Sequence, residues 1–327
     1  MSDDLTCYNL LLSEPKKLDL AHFADISCSE EPSEIALAYI RECVAKNTQI
    51  AYRSDLAHFE RWGGQIPAAP ETIVNYLAAF ADTLTIATLN RRLAALSKAH
   101  RSLGLSNPTS SELVKSTVRG IRRVRGVAQR QAKALLNDHL VRVLDRMDDR
   151  LKDTRDCALL LIGFAGGFRR SELVGLTRSD VEFVREGIVV HLRRSKADQF
   201  REGRKIGIPY ARGRWCPVVA LEKWLNQSKV TQGPLFRSID RHQRIGMNAL
   251  SGESVCLIVR KRIEAAGVKA DGYSAHSLRS GLATSAARAG ASSWKIRQQT
   301  GHASDAMLAR YIREGELFVD NAAGALL

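Results

Sequence analysis

A chain of 327 residues is long enough to bury a hydrophobic core in each of two domains, so it needs no disulfide or metal staple. Its 49 lysines and arginines outnumber 35 aspartates and glutamates, for a formal net charge of +14, and the commonest reason for such a surplus is a polyanionic partner, nucleic acid first. Six cysteines with no C-x-x-C pair or His/Cys cluster read as reduced thiols rather than zinc ligands, and an acidic N-terminus without a secretory n-region or any ~20-residue apolar stretch predicts a cytoplasmic protein with no membrane span.

In chain order, residues 1–32 form an acidic, weakly periodic leader. Residues 33–127 are helical throughout, with apolar residues at three and four spacing in SEIALAYIRECVAK, NTQIAYRSDLAHFERWGGQ, PETIVNYLAAFADT, TIATLNRRLAALSKAHRSLG and SSELVKSTVRGIRRVRG. Gly63-Gly64, Pro67, Pro70 and Pro108 supply the breaks, which gives a domain of four or five helices. Arg91, Arg92, Lys98 and Arg101 fall on one of these helices and Arg119, Arg122, Arg123 and Arg125 on the last. Helical spacing lets such residues share a face that tracks phosphates, so all eight are candidate DNA contacts.

The region 133–327 differs in kind. ALLNDHLVRVLDRM and RDCALLLIGFAGGF read as helices, the second apolar enough to be buried, and RSELVGLTRSDVEF as a helix and turn. GIVVHLRRSKADQFREGRKIGIPY then switches period, with β-branched runs at 188–192 and 206–208, and predicts a hairpin or three-stranded sheet. The remaining segments, CPVVALEKWLNQ, SGESVCLIVRKRIEAAG, AHSLRSGLATSAARAG, SWKIRQQTG and SDAMLARYI, return to helical periodicity. The fold is therefore mainly α with a small β-sheet, in two domains. Trp215 and Trp294 are assigned to packing.

Within AHSLRSGLATSAARAG, His276 and Arg279 project from one helix face while Leu278 and Leu282 turn inward. Ser274 as N-cap would place the pair in a first turn that favours an anion. Alone, H-x-x-R describes a satisfied histidine and a surface arginine equally well. Around it stand FAGGFRRSEL, with Gly166-Gly167 for a tight bend and Arg169 three residues before Glu172; Lys196 in the polar turn of the hairpin; and TGHASDAMLARYI, with His302 after Gly301 and Tyr311 on the following helix. Arg170 stands beside Arg169, and Lys205 and nearby arginines share the hairpin with Lys196; the register of G-F-R favours Arg169.

These pieces, in this order, resemble the catalytic domain of the tyrosine recombinases, the phage integrase family, over about 130–315. The preceding helices resemble the family's core-binding domain in content and length. The resemblance implies an N-terminal helical core-binding domain at 33–127 and an α+β catalytic domain at 133–327. It makes Arg169, Lys196, His276, Arg279 and His302 the phosphate-handling set, Tyr311 the nucleophile and Glu172 a supporting acid. Two guanidinium forks suit the charge that builds on the non-bridging oxygens of an attacked phosphodiester. A phenol with a reference pKa of about 10 needs a base, for which His276 is the candidate. His302 would donate to a non-bridging oxygen, and Lys196 would protonate the leaving 5′-oxygen.

The activity so implied is site-specific DNA recombination through a 3′-phosphotyrosyl intermediate and a Holliday junction, with no cofactor, ATP or metal. The implied partners are double-stranded DNA carrying an inverted-repeat site and other copies of the chain, a homotetramer on two sites, joined through the C-terminal tail GELFVDNAAGALL. Only an acidic leader precedes the helical domain, which favours a Cre-like or Xer-like enzyme over an arm-binding integrase. Two rivals are a type IB topoisomerase-like nicking and closing enzyme and a non-catalytic DNA-binding protein of the same fold.

Overall fold

A computed structural model describes residues 33–42, 44–126, 132–192, 203–302, 304–305, 308–309 and 311. The leader, Lys196 and the C-terminal tail from 312 onward lie outside the described residues. The chain divides into two compact units, Met1–Gln129 and Arg130–Leu327. The fold is mainly α with two small antiparallel sheets.

The first unit contains α1 (Glu34–Glu42), α2 (Lys46–Arg61), α3 (Pro70–Phe80), α4 (Ile86–Ser102) and α5 (Glu112–Arg125), with a 3-10 turn at Pro108–Ser110. Caps explain several starts: Thr85 Oγ1 accepts from Thr88 N at 3.2 Å, Ser111 Oγ accepts from Val114 N at 3.3 Å, and Pro70 opens α3 where its missing N–H is harmless. Phe59, Ile73, Tyr76, Leu77, Leu96 and Ala99 form the core. One expected DNA contact belongs to this core instead. Arg92 is only 7% exposed; its Nη1 donates to Tyr76 Oη at 2.9 Å, and its guanidinium lies over the Tyr76 and Phe80 rings. The helical turn that carries Arg91 outward points Arg92 inward, so the four basic residues of α4 do not share one exposed face.

The second unit runs α6 (Asn137–Leu144), α7 (Leu151–Ala165), α8 (Arg170–Gly175), β1 (Val181–Val184), β2 (Gly187–Leu192), β3 (Arg204–Pro209), α9 (Pro217–Ser228), β4 (Arg237–Ile239), β5 (Ile245–Ala249), α10 (Gly252–Ala265), α11 (His276–Arg288) and α12 (Ser293–Thr300). Residues 305, 308, 309 and 311 are again helical. Helix α7 is the buried centre, packed against α9 and α11. The sheet has the order β1-β2-β3, with Val190 opposite Ile206 and Ile188 opposite Ile208, and these four side chains point into the core.

Two readings of the sequence change here. Val181–Val184 is strand β1, because Val181 and Phe183 find partners on β2 that a short local window does not reveal. The β4–β5 pair was not anticipated; its strands are short and turn at Asp240–Arg244, where the Asp240 carboxylate accepts from His242 N at 2.7 Å and Arg244 N at 2.9 Å.

Helix α11 begins at His276, and the Ser274 hydroxyl accepts from His276 N at 3.2 Å while Ser277 Oγ accepts from Ser274 N at 2.9 Å. Its small residues permit close packing. A Cβ on Gly281 would sit 2.0 Å from Leu135 O, and Leu135 N donates to Ser277 O at 2.9 Å, so the extended segment before α6 runs directly against the helix backbone. Leu278 is buried, and a Cβ on Gly167, whose φ is +58°, would meet Leu282 Cδ2 at 2.9 Å.

Candidate active site

Three distant parts of the second unit converge: the turn Gly167–Glu172, the start of α11, and the end of α12 with the helical residues after it. Arg169 precedes α8, and Glu172, 4% exposed, holds it twice. Glu172 Oε2 accepts from Arg169 N at 2.9 Å and Oε1 accepts from Arg169 Nη1 at 2.7 Å. Arg169 Nη2 reaches across to donate to Gly301 O at 2.9 Å. Arg279 is 1% exposed and donates through Nη1 to Gly167 O at 2.7 Å and to Thr300 O. Burial first, then the neighbouring Arg169, push its pKa down to about 10, so it keeps its charge at neutral pH.

The nucleophile candidate is beside the base candidate. Tyr311 Oη lies 2.8 Å from His276 Nε2, and the Tyr311 ring is 5.5 Å from that of His302, centroid to centroid. Leu308, on the helical stretch that carries Tyr311, is buried against Ala283, Ala287 and Ile296 of α11 and α12, which anchors the phenol over the cluster. Desolvation, then Arg279 and Arg169, lower the pKa of His276, which favours the neutral ring that accepts a phenolic proton.

His302 is 5% exposed, and burial followed by Arg279, Arg169, His276 and Arg204 push its pKa down to about 3. Thr300 Oγ1 lies 2.6 Å from Ile296 O and 2.7 Å from His302 Nδ1. A hydroxyl has one proton: turned to Ile296 O it leaves Nδ1 to carry the ring N–H, and turned to Nδ1 it leaves the N–H on Nε2. The donor role expected for His302 uses the second arrangement, in which the neutral ring presents Nε2–H.

Of the sequence-derived candidates, Arg169, Glu172, His276, Arg279, His302 and Tyr311 are brought together. Arg170 is not: its Nη1 lies 3.8 Å from Cys256 Sγ, toward α10. Lys205 is exposed on β3. A residue passed over in the sequence is Arg204, whose Nη1 donates to Gln299 O at 3.3 Å and whose Nη2 is 3.6 Å from Glu172 Oε2. The available signal was its phase: Arg204 shares a strand face with buried Ile206 and Ile208.

Among the proposed DNA contacts of the helical unit, Arg91 is exposed but donates through Nε and Nη2 to Asp55, both at 2.8 Å. Arg119 pairs with Glu112, Arg125 with Asp82 at 2.9 Å, and Arg122 with Asn90 at 3.3 Å. Arg101 donates through Nε to its own helix at Ser97 O, 3.3 Å away; Lys98 is half-buried and Arg123 exposed. Trp215 hydrogen bonds Asp145 at 3.0 Å, whereas Trp294 is 65% exposed and does not serve the packing role assigned to it.

Residues 133–316 match the family model described as "Phage integrase family". The chain is 40% identical over 309 residues to an integrase/recombinase XerD homolog of Selenomonas ruminantium, covering 91% of each chain. It is 27% identical over 281 residues to the recombinase Cre of Escherichia phage P1, covering 80% of this chain and 79% of Cre. In fold it is similar to the XerH site-specific recombinase in a post-cleavage complex with a palindromic difH substrate, with a TM-score of 0.63, 16% identity, and coverage of 88% of this chain and 82% of that one.

Proposed function

The chain belongs to the phage integrase family of tyrosine recombinases and is a site-specific DNA recombinase, and from that premise we propose that Tyr311 is its nucleophile, with Arg169, Arg279, His276 and His302 handling the scissile phosphate. The observation that carries this reading is the 2.8 Å approach of Tyr311 Oη to His276 Nε2, beside the guanidiniums of Arg169 and Arg279.

In the cleavage step, Tyr311 Oη attacks the phosphorus, its proton passes to His276 Nε2, and the new O–P bond replaces the bond to the 5′-oxygen, which leaves and takes up a proton. Lys196 is the proposed donor of that proton. The two arginines remain charged throughout and stabilise the negative charge that builds on the non-bridging oxygens. His302, neutral with its N–H on Nε2, donates to a non-bridging oxygen. Because the phosphotyrosyl ester retains the energy of the broken bond, attack by a 5′-hydroxyl from a partner strand reverses the step and joins the exchanged ends without ATP.

The substrate proposed is duplex DNA with an inverted-repeat site, a reading supported by the palindromic duplex that XerH holds. The region 33–127 acts as the core-binding domain, 133–327 as the catalytic domain, and four copies act on two sites, linked through their C-terminal tails, in the cytoplasm where the DNA lies. No helix of the described residues is long and apolar enough to cross a membrane.

Incubation with a duplex nicked beside the scissile position tests the assignment, because the freed 5′ end diffuses away and traps the adduct. The expected product is one DNA strand bound covalently at Tyr311, found by peptide mapping, with none from Tyr311→Phe although that variant still shifts the duplex. A Tyr311→Phe protein that still forms the adduct would sink the assignment.

A further inference from the structure

We propose that Arg204 is a positioning residue for strand cleavage, the third of three arginines that lock the carboxyl end of α12 and thereby fix the phosphate-handling forks. This rests on the assignment of the scissile phosphate to Arg169 and Arg279 made above.

Helix α12 ends in successive carbonyls that are each taken by a guanidinium from elsewhere in the chain. Gln299 O accepts from Arg204 Nη1 at 3.3 Å, Thr300 O from Arg279 Nη1, and Gly301 O from Arg169 Nη2 at 2.9 Å. A helix leaves its last carbonyls without intrahelical partners and carries the negative end of its dipole there, so cations are favoured at this end. The arrangement holds each fork from the protein side, and His302 follows directly on the same turn.

Glu172 is the second anchor. Its carboxylate accepts from Arg169 Nη1 at 2.7 Å and from Arg169 N at 2.9 Å, and Arg204 Nη2 approaches the same group at 3.6 Å. Arg169 and Arg204 thus share one carboxylate and one turn, gripping both from two sides. Two arginines share this one buried carboxylate, a surplus of positive charge that an incoming anion relieves.

Three further observations mark Arg204 as more than a strand-end cation. Its Nε and Nη2 are buried without a hydrogen-bond partner, an unfavourable state for a guanidinium. The Cβ position of Gly301 lies 2.2 Å from Arg204 Nη1, so this guanidinium packs directly against the glycine before His302, whose φ of +66° favours glycine there. Arg204 also contributes to the lowered pKa of both His302 and Arg279.

The test uses the full chain and the nicked duplex in two forms, one with an ordinary scissile phosphate and one with an uncharged methylphosphonate at that position. Arg204→Gln is expected to cleave the phosphate about 10²-fold more slowly, as misplacement of an oriented charge does, and to lose less than about 3-fold on the methylphosphonate, with duplex affinity within about 3-fold of wild type. Arg204→Lys, which keeps the charge but not the fork, is expected to recover part of the loss on the phosphate alone. Should the glutamine variant melt below the assay temperature, the lysine variant takes its place, with about 10-fold slower cleavage of the phosphate and unchanged cleavage of the methylphosphonate expected. A variant that cleaves the phosphate at the wild-type rate, or one slowed equally on both duplexes, would overturn the inference. A wild-type protein that forms no adduct at all would instead overturn the site assignment on which it rests.

Discussion

The pair Thr300 and His302 shows how one side chain sets the chemistry of another. Thr300 Oγ1 lies 2.7 Å from His302 Nδ1 and 2.6 Å from Ile296 O, so the direction of its single proton decides which ring nitrogen carries the hydrogen. The folded pKa of His302, about 3, lies well below the ordinary histidine value of 6.5, so the unfolded chain binds a proton that the folded one excludes as pH falls. The contribution of this residue to stability is therefore complete above pH 6.5 and is lost progressively as pH falls toward 3. Thermal melts of the protein without DNA, taken from about pH 7 to about pH 4, are expected to show a smaller fall in Tm for His302→Gln than for wild type. Equal slopes for the two would contradict the buried neutral imidazole.

At the scale of elements, α11 is the beam on which the site is built, since it carries both His276 and Arg279 and lies against the extended segment before α6. Gly281 is the point of closest approach, with Leu135 O 2.0 Å from where a Cβ would stand. The obstacle is backbone, which cannot swing aside as a side chain can. Gly281→Ala is expected to destabilise the second unit by about 1–3 kcal/mol, the usual range for overpacking, measured by urea unfolding. Adduct formation should fall as well, because a shift of α11 displaces His276 relative to Tyr311. By comparison Gly175→Ala, with no atom within 4 Å of its Cβ position, is expected to leave both unchanged.

For the whole molecule, the net charge of +14 sets a field, while DNA binding depends on which cations reach the surface. Arg122 and Arg123 are exposed on α5, whereas Arg92 is buried among Tyr76 and Phe80. Replacing Arg122 and Arg123 by alanine is expected to lower the slope of log affinity against log salt by about 1 for each DNA phosphate that is no longer neutralised. Arg92→Ala is expected to leave that slope unchanged and to lower stability by about 1–3 kcal/mol through the removal of its buried hydrogen bonds. Titrations of one duplex at several salt concentrations, with urea unfolding beside them, separate the two outcomes.

The residues grouped around Tyr311 were implied by the family resemblance of their motifs, whereas periodicity in the sequence alone determined the helical first unit and the switch to β period near residue 188. Each depends on local spacing, and the spacing of apolar residues survives whatever packs against it. Arg169 and Glu172 were likewise legible, because their ion pair spans three residues at the start of one helix. Tertiary structure decided the rest. It turned Arg170 toward α10, drew Arg92 inside and left Trp294 outside, made Val181–Val184 a strand, and brought Arg204 to the end of α12. These outcomes depend on partners that are in several cases far away in sequence, and a guanidinium has the same chemistry on a surface, in a core or beside a phosphate until the fold supplies its neighbours.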